Sequence, residues 1–164
     1  MKKTAIILLL IPFFVIWSCK KAEETPREEA VAGKTDVLAE KASEPDRIAV
    51  QHILISFQGA IPDEKVIRTR EEAEVLAQAV FLRAKSGEDF DTLVKAYTDD
   101  QYPGIYRMSN IGVAPETAKQ EYSRERMVKA FGDVSFTLRV AEIGMTTYDP
   151  ETSKYGWHII KRLE

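Results

Sequence analysis

One cysteine and two histidines are the residues of this 164-residue chain best suited to chemistry. Cys19 has no second cysteine for an intramolecular disulfide, and one cysteine with two histidines offers no zinc-ligand spacing. His52 and His158 each lie inside a short apolar segment that predicts a strand. A buried imidazole without a hydrogen-bond partner costs roughly 1–3 kcal/mol, so two buried histidines that satisfy each other are easier to explain than either alone.

The segment before Cys19 has the layout of an export signal. Two lysines follow the first residue, and residues 5–17 are almost continuously apolar, shorter than the roughly 20 residues of a membrane-spanning helix. Ser18 then precedes Cys19, and the four residues that end at this cysteine resemble a bacterial lipobox. The pattern predicts a lipoprotein signal peptide over 1–18 and lipidation of Cys19. An uncleaved anchor with an incidental cysteine is the alternative.

Residues 19–46 are predicted to contain the lipidated cysteine and a flexible tether. Lys, Glu, Ala, Pro, Thr and Ser dominate, with too few large apolar residues to offset the conformational entropy of ordering. Lys20 stands where inner-membrane lipoproteins often carry Asp, so we expect an envelope protein, anchored at the outer membrane if the cell has two membranes. The formal net charge of −3, without a basic stripe interleaved with aromatics, argues against nucleic acid as a partner.

Residues 47–164 are predicted to form one α+β domain. Residues 48–57 are rich in Val, Ile and Leu, which favours a buried strand. Thr69 and Glu72 have the spacing of a capping box, so a helix is expected to begin there. The remaining expectations are a helix end near 86, helices over 89–97 and 125–131, an irregular stretch over 99–122, and strands over 143–148 and 157–163. This order indicates helices packed on one sheet.

Six short blocks within residues 47–163 carry a family pattern. They are Val50-Gln51-His52-Ile53-Leu54-Ile55, Arg68-Thr69-Arg70-Glu71-Glu72-Ala73, Ser86-Gly87-Glu88-Asp89-Phe90, Tyr97-Thr98-Asp99, Met127-Val128-Lys129-Ala130-Phe131 and Tyr155-Gly156-Trp157-His158-Ile159-Ile160. In order and at plausible spacing, they resemble the parvulin peptidyl-prolyl isomerases. The resemblance implies a parvulin-like (FKBP-like) fold, a small antiparallel or mixed sheet covered by about three to four helices.

The resemblance also implies catalytic residues. It places His52 and His158 on neighbouring central strands, facing each other beneath the active site. Asp100 occupies the position where parvulins carry Cys or Asp close to the rotating bond. Two plainer interpretations remain open from the pattern alone: the histidines stabilise the sheet, or Asp100 is an exposed loop acid.

The implied proline pocket involves Met127 and Phe131. Four residues apart on a predicted helix, they would present one continuous apolar surface, although the pattern alone also fits core residues. The usual family Gly-Gly-Asp-Leu-Gly stretch is replaced here by residues 103–112, which leaves Ile111 as the candidate for a third wall. Phosphate-directed parvulins carry basic residues after the first strand, whereas residues 56–59 have none, so no phosphoserine preference is expected.

The implied reaction rotates an amide over a barrier of about 20 kcal/mol and needs neither a nucleophile, a metal nor a cofactor. The expected function is therefore prolyl isomerisation of exported, proline-containing polypeptides that are unfolded or folding. A non-catalytic prolyl-peptide-binding chaperone module of the same fold is the alternative, and the altered stretch at 103–112 favours it. A purely structural lipoprotein would not need the preserved pocket positions.

Overall fold

The computed structural model describes residues 44–164, so the predicted signal peptide, Cys19 and the tether up to residue 43 lie outside the described residues. The strands are β1 Arg47–Ile55, β2 Ile105–Ser109, β3 Glu121–Ser123, β4 Ile143–Thr146 and β5 Trp157–Arg162, and the helices are α1 Arg70–Lys85, α2 Phe90–Tyr97 and α3 Lys129–Thr137. The strands form one sheet in the order β3-β2-β1-β5-β4. Only β2 and β3 pair in parallel, so the sheet is mixed.

The two central strands place both histidines on one face of the sheet. In the antiparallel pairing of β1 with β5, His52 lies opposite Ile160 and Leu54 lies opposite His158. Side chains two residues apart on a strand share a face, so the two histidines are diagonal neighbours.

Helices cover both faces of the sheet, and each face has its own apolar core. Ile53 and Trp157 pack with buried side chains of α1 and α2. On the other face, Val50 and Ile160 pack with Phe131 and its neighbours on α3. The histidines alternate with the first set and therefore belong to the α3 face.

The start of α1 confirms the predicted capping box. The Thr69 hydroxyl accepts the Glu72 amide at 3.1 Å, and the Glu72 carboxylate accepts the Thr69 amide at 2.8 Å. Two donors that would otherwise lack partners at the helix start are thus satisfied. None of the helices that the structure describes is long and apolar enough to cross a bilayer.

Two predicted elements are wrong. The stretch 99–122 is not irregular throughout, because β2 and the first residues of β3 lie within it. The helix predicted over 125–131 is α3, which begins only at Lys129 and continues to Thr137. Arg124–Arg126 forms a separate 3₁₀ turn, and the extended backbone of Met127, with φ −82° and ψ 164°, separates it from α3.

Candidate active site

A cavity of about 580 Å³ opens on the α3 face of the sheet, against the central strands. Five of the six site residues predicted within the described part of the chain line it: His52, Asp100, Met127, Phe131 and His158. They come from β1, from the segment after α2, from the entry to α3 and α3 itself, and from β5. The fold therefore brings together residues that are up to 106 positions apart in the sequence.

A chain of hydrogen bonds crosses this cavity. Tyr106 donates its hydroxyl to Oδ2 of Asp100 at 2.8 Å, and Nε2 of His52 lies 2.9 Å from the same oxygen. Nδ1 of His52 lies 3.4 Å from Nδ1 of His158. Since an ionised carboxylate only accepts, Nε2 of His52 carries the proton. In the neutral ring, Nδ1 of His52 then accepts from Nδ1–H of His158.

The protein environment shifts the pKa values of the hydrogen-bonded groups in different directions. The hydrogen bond from His52, together with that from Tyr106, holds the pKa of the Asp100 carboxyl well below its usual range, although partial burial acts in the opposite direction. Burial raises the pKa of the Tyr106 hydroxyl, and the neighbouring carboxylate adds to the effect. Burial, with a smaller contribution from His52, lowers the pKa of His158 to about 3. The site thus combines an ionised acid with a neutral phenol and a neutral imidazole.

Aromatic rings form the apolar wall beside this chain. Phe131 is 2% exposed and meets His52 edge-on, with ring centroids 5.1 Å apart. Tyr106 meets the same imidazole edge-on at 5.1 Å. Met127 also lines the cavity, but its backbone is extended and it precedes α3. The expectation that Met127 and Phe131 lie on one helix is therefore wrong. Both side chains nevertheless line the same cavity.

The segment after α2 positions Asp100 by running beside the end of β1. The Asp99 amide donates to the Leu54 carbonyl at 2.8 Å, and the Thr98 hydroxyl accepts the amides of Leu54 and Asp100 at 3.2 Å each. The Asp99 carboxylate forms an ion pair with Arg68. This loop is therefore held by backbone and side-chain bonds on the strand that carries His52.

Gly104 permits a close approach of the chain to His52. The His52 amide donates to the Gly104 carbonyl at 2.9 Å, at the point where the chain turns into β2. Gly104 has a φ of +66°, and a Cβ atom there would lie 2.6 Å from the His52 carbonyl oxygen. Both the left-handed backbone and the lack of space require glycine.

Ile111 does not belong to the site. Its side chain is 62% exposed, and it is not part of the cavity wall, because β2 ends at Ser109 and the chain leaves the sheet. The tyrosine that sequence reasoning missed is Tyr106, the second residue of β2, which lies within the stretch 99–122 predicted to be irregular. The alternation Tyr106-Arg107-Met108, with the first and third facing inward, is the strand signal that identifies it.

A second cavity, of about 370 Å³, adjoins the first and shares Gln101 and Tyr106 with it. Its wall includes the half-exposed rings of Tyr102 and Tyr122. Together the two cavities form a continuous surface that is larger than a single amino-acid residue. Among residues 44–164, no group of three or more His, Cys, Asp or Glu side chains is arranged to hold a metal ion.

The family model described as the PPIC-type PPIASE domain matches residues 36–164. The chain belongs to this family. Its curated relatives include Chaperone SurA of Pseudomonas putida, 31% identical over 83% of this chain, and Chaperone SurA of Pseudomonas fluorescens, 33% identical over 72%. Foldase protein PrsA of a Geobacillus species is 27% identical over 78% of this chain. The matches cover 26%, 23% and 42% of those relatives, so this chain spans less than half the length of each.

Solved structures confirm the α+β fold of the PPIC-type domain. The solution structure of TbPIN1 superimposes with a TM-score of 0.51 at 23% identity, covering 73% of this chain and 98% of that one. The peptidyl-prolyl isomerase ESS1 from Candida albicans gives 0.50 at 19% identity, covering 73% and 63%. Both have the architecture that the resemblance implied.

Proposed function

We propose that this PPIC-type domain is an active peptidyl-prolyl cis-trans isomerase for polypeptides that are unfolded or folding at the cell envelope. The observation that carries the proposal is the shared cavity, in which the apolar wall of Met127 and Phe131 lies directly beside the hydrogen-bonded pair of His52 and Asp100. An apolar surface suits the proline ring, and an ionised group beside it suits an amide whose charge distribution changes during rotation.

Rotation about a prolyl bond breaks no covalent bond, so catalysis consists of favouring the twisted amide over both planar forms. In the proposed complex, the proline ring packs on Phe131 and Met127, which keeps water away from the preceding carbonyl. Asp100 then acts electrostatically on the amide as its conjugation is lost. His52 and His158 hold the carboxylate in place and remain unreactive themselves, since no proton has to move.

The proposed clients are extended polypeptides. A proline in the first cavity leaves room for neighbouring residues in the second, because Tyr106 and Gln101 belong to both. Two of the relatives are named a chaperone and a foldase, which agrees with clients of this kind. The predicted signal peptide over 1–18 and lipidation of Cys19 add the proposed location, a membrane-anchored domain on a tether over 19–46, at the outer membrane of a two-membrane cell.

The experiment measures cis/trans exchange of a short Ala-Pro peptide by NMR exchange spectroscopy, with and without the protein. We expect exchange much faster than the uncatalysed reaction, which takes tens of seconds. In Phe131→Ala the catalysed exchange rate should fall by about tenfold or more, because the proline ring loses its main apolar contact. Leu82→Ala is the matched control, since Leu82 is 66% exposed on α1, away from the cavity.

The non-catalytic alternative predicts a different result in the same experiment. Peptide resonances would shift on binding while the exchange rate stayed at the buffer value. The replaced stretch at 103–112, which contributes Tyr106 to the cavity, is the feature that favours this alternative.

A further inference from the structure

The cavity wall carries three carboxylates, and none of its lining residues within the described part of the chain is lysine or arginine. Asp63 comes from the loop between β1 and α1, whereas Asp99 and Asp100 come from the segment after α2. The acids therefore approach the cavity from two separate elements.

Only one of these carboxylates is paired with a lysine or arginine among the described residues. Asp99 is paired with Arg68. Asp100 stays ionised, and its side-chain partners are the imidazole of His52 and the hydroxyl of Tyr106. Asp63 accepts the Lys65 amide at 2.9 Å and forms no ion pair with any residue of the described chain. Asp63 and Asp100 thus line the cavity without a lysine or arginine partner among the described residues.

Besides Arg68, which is paired with Asp99, the cation Lys154 also contacts the wall. Its ammonium group lies 5.0 Å from the ring centroid of Tyr155, which lines the cavity, but Lys154 itself is exposed to solvent. Asp63 is exposed as well, but it lines the cavity, whereas Lys154 does not. The acidic and basic side chains of the cavity lining are therefore three carboxylates and no lysine or arginine.

We propose that the cavity selects clients that carry lysine or arginine beside the proline and discriminates against clients with an acidic or phosphorylated residue there. This inference rests on the proposed function and names its substrate class. A cationic side chain next to the proline gains Coulomb energy from Asp63 and Asp100, and an anionic one loses it. Asp63 is the specificity-determining residue, because no partner compensates its charge.

The test uses two matched peptide series, one with Lys, Leu or Glu directly before the proline and one with the same residues directly after it. Dissociation constants come from NMR titration and kcat/KM from exchange spectroscopy, both at low salt. We expect Lys to exceed Glu by about tenfold in at least one series. Because the preference is electrostatic, about 0.5 M salt should reduce it severalfold in the unaltered protein.

Asp63→Asn tests the assigned residue, since asparagine keeps an oxygen that can accept the Lys65 amide while losing the charge. Glu64→Gln is the matched control, because it removes the same charge one position away, from a residue outside the cavity wall. We expect the Lys/Glu ratio to fall about threefold or more in the first variant and to change less in the second.

Equal values for Lys and Glu, a preference for Glu, or a ratio that responds to Glu64→Gln more than to Asp63→Asn would overturn the inference. If peptides bind but none exchanges faster than in buffer, the proposed isomerase activity fails, and the ratio of dissociation constants still decides the charge preference. If no peptide binds, both fail. The salt series provides the answer if Asp63→Asn does not fold.

Discussion

Tyr106, Asp100, His52 and His158 are joined in one hydrogen-bonded chain, so each group sets the protonation of the next. The carboxylate fixes the proton on Nε2 of His52. Burial keeps His158 neutral, and its Nε2 has no partner among the described residues. A neutral ring at this depth avoids the cost of a buried charge. Two predictions about individual residues follow from these hydrogen bonds.

The first prediction concerns Tyr106. Tyr106→Phe keeps the ring against His52 but removes the hydroxyl that donates to Asp100, so we expect the pKa of Asp100 to rise and kcat/KM for prolyl exchange to fall by about tenfold. Carbon-13 NMR titration of the Asp100 carboxyl and exchange spectroscopy measure the two effects. Tyr122→Phe is the control, since Tyr122 is half-exposed and its ring lies 5.9 Å from that of Tyr106. An unchanged Asp100 titration in Tyr106→Phe would contradict the assigned link.

The second prediction concerns the pH dependence of stability. Because the pKa of His158 falls from its ordinary 6.5 to about 3 on folding, the unfolded chain binds this proton first as the pH decreases. The free energy of unfolding should therefore decline from about pH 6.5 downward, with His158 contributing at most about 1.4 kcal/mol per pH unit. Folding also lowers the pKa of Asp100 from its ordinary value of 3.8. Below about pH 3.8 this carboxyl therefore adds to the loss of unfolding free energy.

Urea denaturation at several pH values measures this slope. His158→Asn removes the titrating ring, so its slope between about pH 6.5 and about pH 4 should be shallower than that of the unaltered protein. Parallel slopes would show that His158 titrates normally in the folded state.

Among the elements, the ones with strong local patterns were predictable. The apolar run of β1, the capping box of α1 and the closing pattern of β5 each indicate one structure without help from the rest of the chain. Of the six candidate site residues that the resemblance implied within the described part of the chain, five line the cavity. Neither source showed how Met127 and Phe131 come to line one cavity, because that arrangement depends on how the chain enters α3.

The elements that were missed are those that tertiary packing stabilises. Residues 132–137 of α3 contain Gly, Val, Ser, Phe and Thr, which are mediocre helix formers, and burial of Phe131 and Phe136 keeps the helix in place. β2 follows Pro103 and Gly104, which normally indicate a loop. Its pairing with β1 decides its conformation, and no local pattern encodes that pairing.

The turn into β2 gives the prediction at this scale. Gly104→Ala forces a Cβ atom onto the His52 carbonyl in a left-handed backbone, so we expect a loss of at least about 2 kcal/mol in the free energy of unfolding. Gly59→Ala is the matched control, since Gly59 also has a positive φ, +83°, but nothing lies within 4 Å of the added carbon. Its cost should be about 1 kcal/mol, from backbone conformation alone. Equal losses in urea denaturation would contradict the role of close packing at Gly104.

At the scale of the whole molecule, the described chain begins beside α3. Arg124, with 11% of its side chain exposed, binds Glu44 at 2.5 Å, Asn110 at 2.9 Å and Asp133 at 2.9 Å. These contacts join the start of the domain to the loop after β2 and to the helix that carries Phe131. Glu44 itself belongs to residues 19–46, which are predicted to contain the lipidated cysteine and the tether.

The prediction at this scale concerns the anchor. In a bacterial host, Cys19→Ser should abolish incorporation of radiolabelled palmitate and move the protein from the membrane fraction to the soluble fraction, because no residue remains to be lipidated. Ser18→Ala is the control, since a small residue is kept before the cysteine. Retention in the membrane without palmitate would support the uncleaved anchor.

The central claim is that a proline ring occupies the cavity between Met127 and Phe131, beside His52. Intermolecular nuclear Overhauser effects in a complex with a peptide carrying carbon-13-labelled proline test it most directly. We predict contacts from the proline ring protons to the Met127 methyl group and to the Phe131 ring. Contacts only to Tyr102 and Tyr122 in the second cavity would contradict the claim.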